Sequence, residues 1–226
     1  MQKWIFEIRS RPFVVLAGVF LLATLLVVTG TTVGFDRPVS QGFHELAGDP
    51  VLDTVMWAIT EAGDIYYMLI FGVVLLIIRR TRKIGVTLLV CLVLGTLATG
   101  YLKCGISQDS PDLVFEGTDF PIPSSIDTFP LFCYEGFSSS FPSGHAARAA
   151  TFGVILGYAL SGRFPRGCYL LLLYPLLMAL SRVYVLQHYP MDVIGGVVLG
   201  ILIAGAIGHK SKLYTIIGPA SHRRGY

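Results

Sequence analysis

The chain has 226 residues, 54% of them hydrophobic and 14% charged, with a formal net charge of +3. A charged fraction so far below the roughly 25% of soluble domains excludes an ordinary soluble protein and points to a polytopic membrane protein. The basic residues form short clusters beside apolar runs, not one broad patch, which argues against a nucleic-acid partner.

The first apolar run covers residues 12–33 and follows Lys3, Arg9 and Arg11. It exceeds the roughly 7–15-residue core of a signal peptide and lacks an A-x-A site, so it reads as a first spanning helix. Residues 34–63 are mixed. Within them Val51, Leu52, Val55, Met56 and Ile59 fall at helical spacing beside Trp57. That pattern predicts an amphipathic helix, lying at the membrane interface or packed on the bundle. Apolar runs at 65–78, 84–102, 146–160, 168–180 and 193–207 bring the predicted spans to six. Pro175 lies inside the fifth and is expected to kink it. In the sixth, Gly196, Gly200, Ala204 and Gly208 form a stripe of small residues. It suits close packing within the chain, or a homo-oligomer. The expected fold is all-α, one membrane-embedded domain over residues 1–226.

Loop charge orients these spans. The N-terminus, the second-to-third connection (Arg79, Arg80, Arg82, Lys83), the fourth-to-fifth connection (Arg163, Arg166) and the tail (Lys210, Lys212, Arg223, Arg224) are basic. With six spans all four lie on one side, which the positive-inside rule makes cytoplasmic. Both termini are then cytoplasmic in a multi-pass protein of the cell membrane. The loop between the third and fourth spans is extracytoplasmic. It holds Asp109, Asp112, Glu116, Asp119, Asp127 and Glu135, and no Lys or Arg falls between Cys104 and His145. Loops of about 40 residues are usually functional or disordered. Phe115, Phe120, Phe129, Phe132, Tyr134, Phe137 and Phe141 make this one a candidate lid or lipid-contacting cap. Cys91 and Cys168 fall in apolar runs and read as small hydrophobes. Cys104 and Cys133 border or sit in the long loop, where the sequence permits a disulfide and also permits two free thiols.

Three polar clusters interrupt the apolar pattern, and the six-span topology brings all three to the extracytoplasmic face. Lys103 ends the third helix, Phe141-Pro142-Ser143-Gly144-His145 opens the fourth, and Arg182, His188 and Asp192 bracket the last connection. Ser143 is a good N-cap, and a helix start offers backbone N–H groups and a positive dipole end to an anion. Gly144 lets that backbone approach a ligand closely. Lys103 and Arg182 add charge, and an arginine can hold two phosphate oxygens. His188 and Asp192 are four residues apart, so they meet if the last helix starts near Pro190. A carboxylate on one imidazole nitrogen leaves the other as a nucleophile, and His145 can protonate a leaving oxygen. Taken singly, Lys103 also reads as a lysine snorkelling to the interface, and Ser143-Gly144 as an ordinary cap.

Pro142-Ser143-Gly144-His145, followed by Ser181-Arg182, five residues, His188, three residues and Asp192, resembles the type-2 phosphatidic acid phosphatase superfamily. That group includes lipid phosphate phosphatases, polyprenyl diphosphate phosphatases, glucose-6-phosphatase and vanadium haloperoxidases. The resemblance runs over about residues 34–208. It implies a phosphatase with no metal or other cofactor that works through a phosphohistidine. His188 would be the nucleophile, Asp192 its partner and His145 the general acid. Lys103, Ser143, Gly144 and Arg182 would hold the phosphate. The first family motif departs here: its Arg-Pro is replaced by Ser110-Pro111. Arg148, three residues after His145 and on the same helical face, is a candidate replacement for the lost charge; its other reading is an arginine snorkelling to the interface.

These readings converge on a hydrolase for a membrane lipid phosphate or diphosphate. Polyprenyl diphosphate, phosphatidic acid and phosphatidylglycerol phosphate are the candidates. Two alternatives stand beside it: a lipid phosphotransferase using the same phosphohistidine, and a non-catalytic lipid-phosphate binder. Binding alone needs no nucleophile and acid pair.

Overall fold

Apolar runs fold as helices in lipid because the backbone must satisfy its own hydrogen bonds there. The structure, a computed structural model, describes residue 8 and residues 10–106, 108–111, 139–213 and 216–217. Every regular element among these residues is helical. In chain order they are α1 (Arg11–Val28), α2 (Val33–Leu46), α3 (Pro50–Ala62), α4 (Ile65–Ile77), α5 (Arg82–Gly105) and α6 (Gly144–Leu160). A 3-10 turn (Gly167–Leu172) then leads into α7 (Leu173–Tyr184), and α8 (Pro190–Ser211) follows. Four pieces are each long and apolar enough to cross a membrane: α1, α5, the 3-10 turn with α7, and α8. α3 and α4, bent by 52° at their junction, make a fifth candidate together. α6, with 17 residues, is buried along almost its whole length between α5, α7 and α8.

Helix ends depart from the sequence expectation for local reasons. α1 stops at Val28, short of residue 33. Gly30 takes a left-handed conformation (φ 70°), and its N–H reaches Val27 O at 2.9 Å while Thr31 N reaches Leu26 O at 3.0 Å. That is a Schellman end, which a glycine adopts without steric cost. The mixed stretch holds two helices where one amphipathic segment is expected. α2, the helix not expected, is amphipathic and buries Asp36 and Ser40 from a largely polar sequence. α3, which contains Val51 to Ile59, is the first half of the bent pair and packs on α7. The break follows from Asp64, whose carboxylate caps α4 at Tyr66 N (2.8 Å), while the Tyr174 hydroxyl donates to Ala62 O at the end of α3 (2.8 Å). Pro175 does not kink a long helix. It falls in the first turn of α7, where its missing N–H is harmless, and the departure from α geometry precedes it in the 3-10 turn.

The main core joins α4 to α8 through Met68, Ile84, Leu88, Leu92, Ile155, Met178 and Ala204. The small-residue stripe of α8 is used within the chain. A Cβ at Gly196 would overlap the Ser143 carbonyl, and one at Gly200 the Ala147 carbonyl, so α6 lies directly on α8. Cys91 and Cys168 are buried free thiols, as their apolar setting predicts. Cys104 is disulfide-bonded; Cys133 and the expected aromatic lid lie outside the described residues.

Candidate active site

The connection between α7 and α8 presents the two C-terminal site residues. α7 ends in a second Schellman motif: Leu186 N donates to Val183 O (3.1 Å) and Gln187 N to Arg182 O (3.1 Å). The left-handed position is held by Leu186 (φ 55°) where a glycine is usual. A left-handed L-residue costs about 1–2 kcal/mol. Burying a leucine contributes roughly 1.5–3 kcal/mol, so packing offsets the strain. Leu186 is buried with Tyr184 and Val185 against Phe43, Leu52 and Met56. Beneath it, the Tyr184 hydroxyl donates to Asp53 Oδ1 (2.5 Å), tying this turn to α3. α8 then starts at Pro190, as expected. Asp192 sits in its first turn and accepts from Tyr189 N at 2.8 Å, while Met191 N donates to Asp36 Oδ1 of α2 at 3.0 Å. Two carboxylates therefore satisfy helix-start donors, and they fix the turn that carries His188.

The start of α6 arrives from the other side. Residues 139–143 form a strap without regular secondary structure that includes the cis Phe141–Pro142 peptide. Ser140 N donates to Gln108 O (2.7 Å), and Ser143 N donates to the Asp192 carbonyl (2.9 Å). Ser143 caps α6 at Ala146 N (3.4 Å), as its sequence position predicts. Ser140, which no motif singled out, lies against two predicted catalytic groups, His188 in the turn before α8 and Asp192 in its first turn. Its Oγ is 3.1 Å from His188 Nδ1 and donates a short hydrogen bond to Asp192 Oδ2. The only sequence signal for Ser140 is its place, in a run of three serines just before the cap.

Positive charge dominates what surrounds this cluster. Lys103, Arg148 and Arg182 are buried, as are His145, His188 and Asp192. Burial holds the His188 imidazole well below its ordinary value, at about 4. The Asp192 carboxylate opposes that shift, while the charges of Arg182 and Lys103 add to it. His188 is thus a neutral imidazole at neutral pH, the form that can attack. Buried cations that outnumber the carboxylate suit an anionic ligand.

Arg148 lies beside the predicted acid, with Nη2 at 3.2 Å from His145 Nδ1. A guanidinium only donates, so His145 accepts at Nδ1 and carries its proton on Nε2. Ser110, in the place of the family arginine, is exposed. Gly63, at the break between α3 and α4, has no side chain where one would press on Met178, and His145 Cδ2 lies 3.2 Å from its Cβ position. The described residues therefore bring Ser140 onto both His188 and Asp192, attach Ser143 to Asp192 through the backbone, and pair His145 with Arg148. Gly144, the first residue of α6, is buried at the same helix start.

The sequence pattern of the PAP2 superfamily matches residues 84–213. An undecaprenyl-diphosphatase of Sulfolobus acidocaldarius is 32% identical over 203 residues, 88% of each chain. Phosphatidylglycerophosphatase B of Bacillus subtilis is 29% identical over 197 residues, 81% of this chain and 87% of that one. The fold is similar to the crystal structure of a transmembrane PAP2-type phosphatidylglycerolphosphate phosphatase from Bacillus subtilis. The TM-score is 0.68 at 25% identity, covering 90% of this chain and 93% of the other. The matched stretch encloses every residue from Lys103 to Asp192 that forms the buried cluster, and the chain belongs to the PAP2 superfamily.

Proposed function

We propose that this chain is an integral-membrane lipid phosphatase that forms a phosphohistidine on His188 at the extracytoplasmic face. The observation that carries the reading is the setting of His188. Its Nδ1 is engaged from behind by Ser140 beside Asp192, and its ring is kept neutral next to Lys103 and Arg182. Nε2 attacks phosphorus as the bond to the leaving oxygen breaks, and His145, charged to the imidazolium by a proton that enters with the substrate, gives that oxygen its Nε2 proton and is left neutral. A water then attacks the phosphohistidine, His145 takes the water's proton, and inorganic phosphate leaves. Lys103, Arg182 and the N–H groups at the start of α6 hold the phosphoryl oxygens through both steps. The resemblance implies no metal in this scheme.

Adding α6 to the five candidate spans gives six crossings, with basic termini in the cytoplasm and the site at outer headgroup depth. A site there needs no extraction of the lipid tail. A polyprenyl diphosphate is the preferred substrate, supported by the name of the Sulfolobus relative. Phosphatidic acid and phosphatidylglycerol phosphate are the comparison substrates. The test is phosphate release by the purified protein in detergent with excess chelator, from each lipid in turn. Release is expected from the polyprenyl diphosphate, and His188→Asn should lower it at least about 10³-fold, the scale seen when a nucleophile is lost. No release from any of the three lipids would sink the reading.

A further inference from the structure

We propose that Ser140 is a positioning residue for the nucleophile: its hydroxyl relays the Asp192 carboxylate to His188 Nδ1 and fixes the tautomer that attacks. This inference rests on the phosphohistidine reading above and assigns a part of it that no motif marks.

The geometry decides between a direct and a relayed contact. His188 Nδ1 and Asp192 Oδ2 are 3.6 Å apart. That separation is too long for a hydrogen bond. Ser140 Oγ stands between them, 3.1 Å from Nδ1 and hydrogen-bonded to Oδ2. A hydroxyl has one proton, and an ionised carboxylate can only accept. Oδ2 also receives the Tyr189 N–H at 2.8 Å, so it is the acceptor in both bonds. The Ser140 proton is therefore committed to Asp192, and its oxygen is left to accept. His188 Nδ1 must then carry the ring proton, and the lone pair sits on Nε2, which attacks phosphorus.

The hydroxyl is held in place before any substrate binds. Ser140 is 1% exposed, and its N–H is tied to Gln108 O at 2.7 Å. The next residue, Phe141, is fully buried against Phe20 and fills the space left by Gly195. When Nε2 bonds to phosphorus the imidazole becomes cationic. The Nδ1–H bond to Ser140 strengthens at that moment, because Ser140 is already polarised by the carboxylate. An interaction that is stronger in the transition state than in the ground state raises kcat and leaves KM almost unchanged. Ser140 touches neither phosphate nor leaving group in this scheme. It acts through His188.

The experiment compares wild type, Ser140→Ala, Ser140→Thr, Asp192→Asn and the Ser140→Ala/Asp192→Asn double variant on polyprenyl diphosphate in detergent. Ser140→Ala is expected to lower kcat by about 10–100-fold with KM within about twofold. Residues that act as a unit are not additive, so the double variant should fall within about threefold of Asp192→Asn alone. Ser140→Thr keeps the hydroxyl and should recover most of the loss. A kcat for Ser140→Ala within twofold of wild type, additive losses in the double variant, or equal losses for alanine and threonine would each overturn the relay. Nitrogen-15 shifts of His188 in the resting protein read the tautomer without turnover. The relay predicts Nδ1–H in wild type and a mixed population in Ser140→Ala. An Nε2–H wild type refutes the relay alone, whereas an Nδ1–H wild type that hydrolyses no lipid phosphate refutes only the phosphatase reading.

Discussion

Arg148 is where single residues carry the most new information. Its helical spacing from His145 was legible in the sequence, and the structure places its guanidinium on the His145 ring. Truncating it removes a buried cation from the site and the group that orients the acid. Arg148→Ala is expected to lower kcat by about 10²-fold, the usual worth of one electrostatic stabiliser, and to weaken inhibition by inorganic phosphate. Unchanged kcat and unchanged phosphate inhibition would show that the charge missing at Ser110 is not replaced here. His188 supports a second residue-scale prediction. Its folded-state value lies near 4, below the ordinary 6.5, so unfolding takes up a proton between those limits. The stability it contributes is fully present above about pH 6.5 and is lost as the pH falls through 4, by up to about 3 kcal/mol. Thermal melts from pH 7 to pH 4.5 should show that loss in wild type and a smaller one in His188→Asn; parallel curves would contradict the burial of a neutral ring. The motif residues were readable because their spacing is local. Ser140 was not, because a serine among serines has no pattern, and only the folded strap brings it to residues 48 and 52 positions away.

At the scale of elements, the site depends on how closely α6 and α8 approach. The glycines that permit this were visible as a stripe, and the structure shows which backbone each one meets. A Cβ at Gly200 would overlap the Ala147 carbonyl, whereas one at Gly95 of α5 would meet only Ile203 Cδ1, at 3.9 Å. Gly200→Ala should therefore cost about 1–3 kcal/mol, typical of overpacking, and pull the start of α6 off the site. Gly95→Ala should be neutral or slightly stabilising. Melting temperature and phosphatase activity of the two variants check this, and equal behaviour would argue against close α6–α8 packing. What the sequence hid at this scale lies at helix ends. The break between α3 and α4 is made by an Asp64 cap and a Tyr174 hydroxyl that is remote in sequence. Hydrophobic periodicity registers neither. The α7 end is equally hidden, since Leu186 replaces the expected glycine and is stabilised by residues of α2 and α3.

For the whole molecule, apolar runs and loop charge suffice for an all-helical membrane bundle, because both signals are summed over many residues. The six-crossing orientation predicts that a cysteine placed at Asp109 makes the chain react with a membrane-impermeant maleimide in intact cells beyond the labelling of the unsubstituted chain, whose free thiols among the described residues, Cys91 and Cys168, are buried. One placed at Lys210 should react only after permeabilisation. The reverse pattern would turn the site to the cytoplasm and remove the outer-leaflet substrate. The central claim is that phosphorus becomes bonded to His188. It is tested most directly by quenching the enzyme during turnover of a phosphorus-32-labelled polyprenyl diphosphate and following the label on the protein. The account predicts an alkali-stable, acid-labile label that maps to His188 and is absent from His188→Asn. A label that persists in that variant, or a fully active enzyme that never becomes labelled, would contradict it.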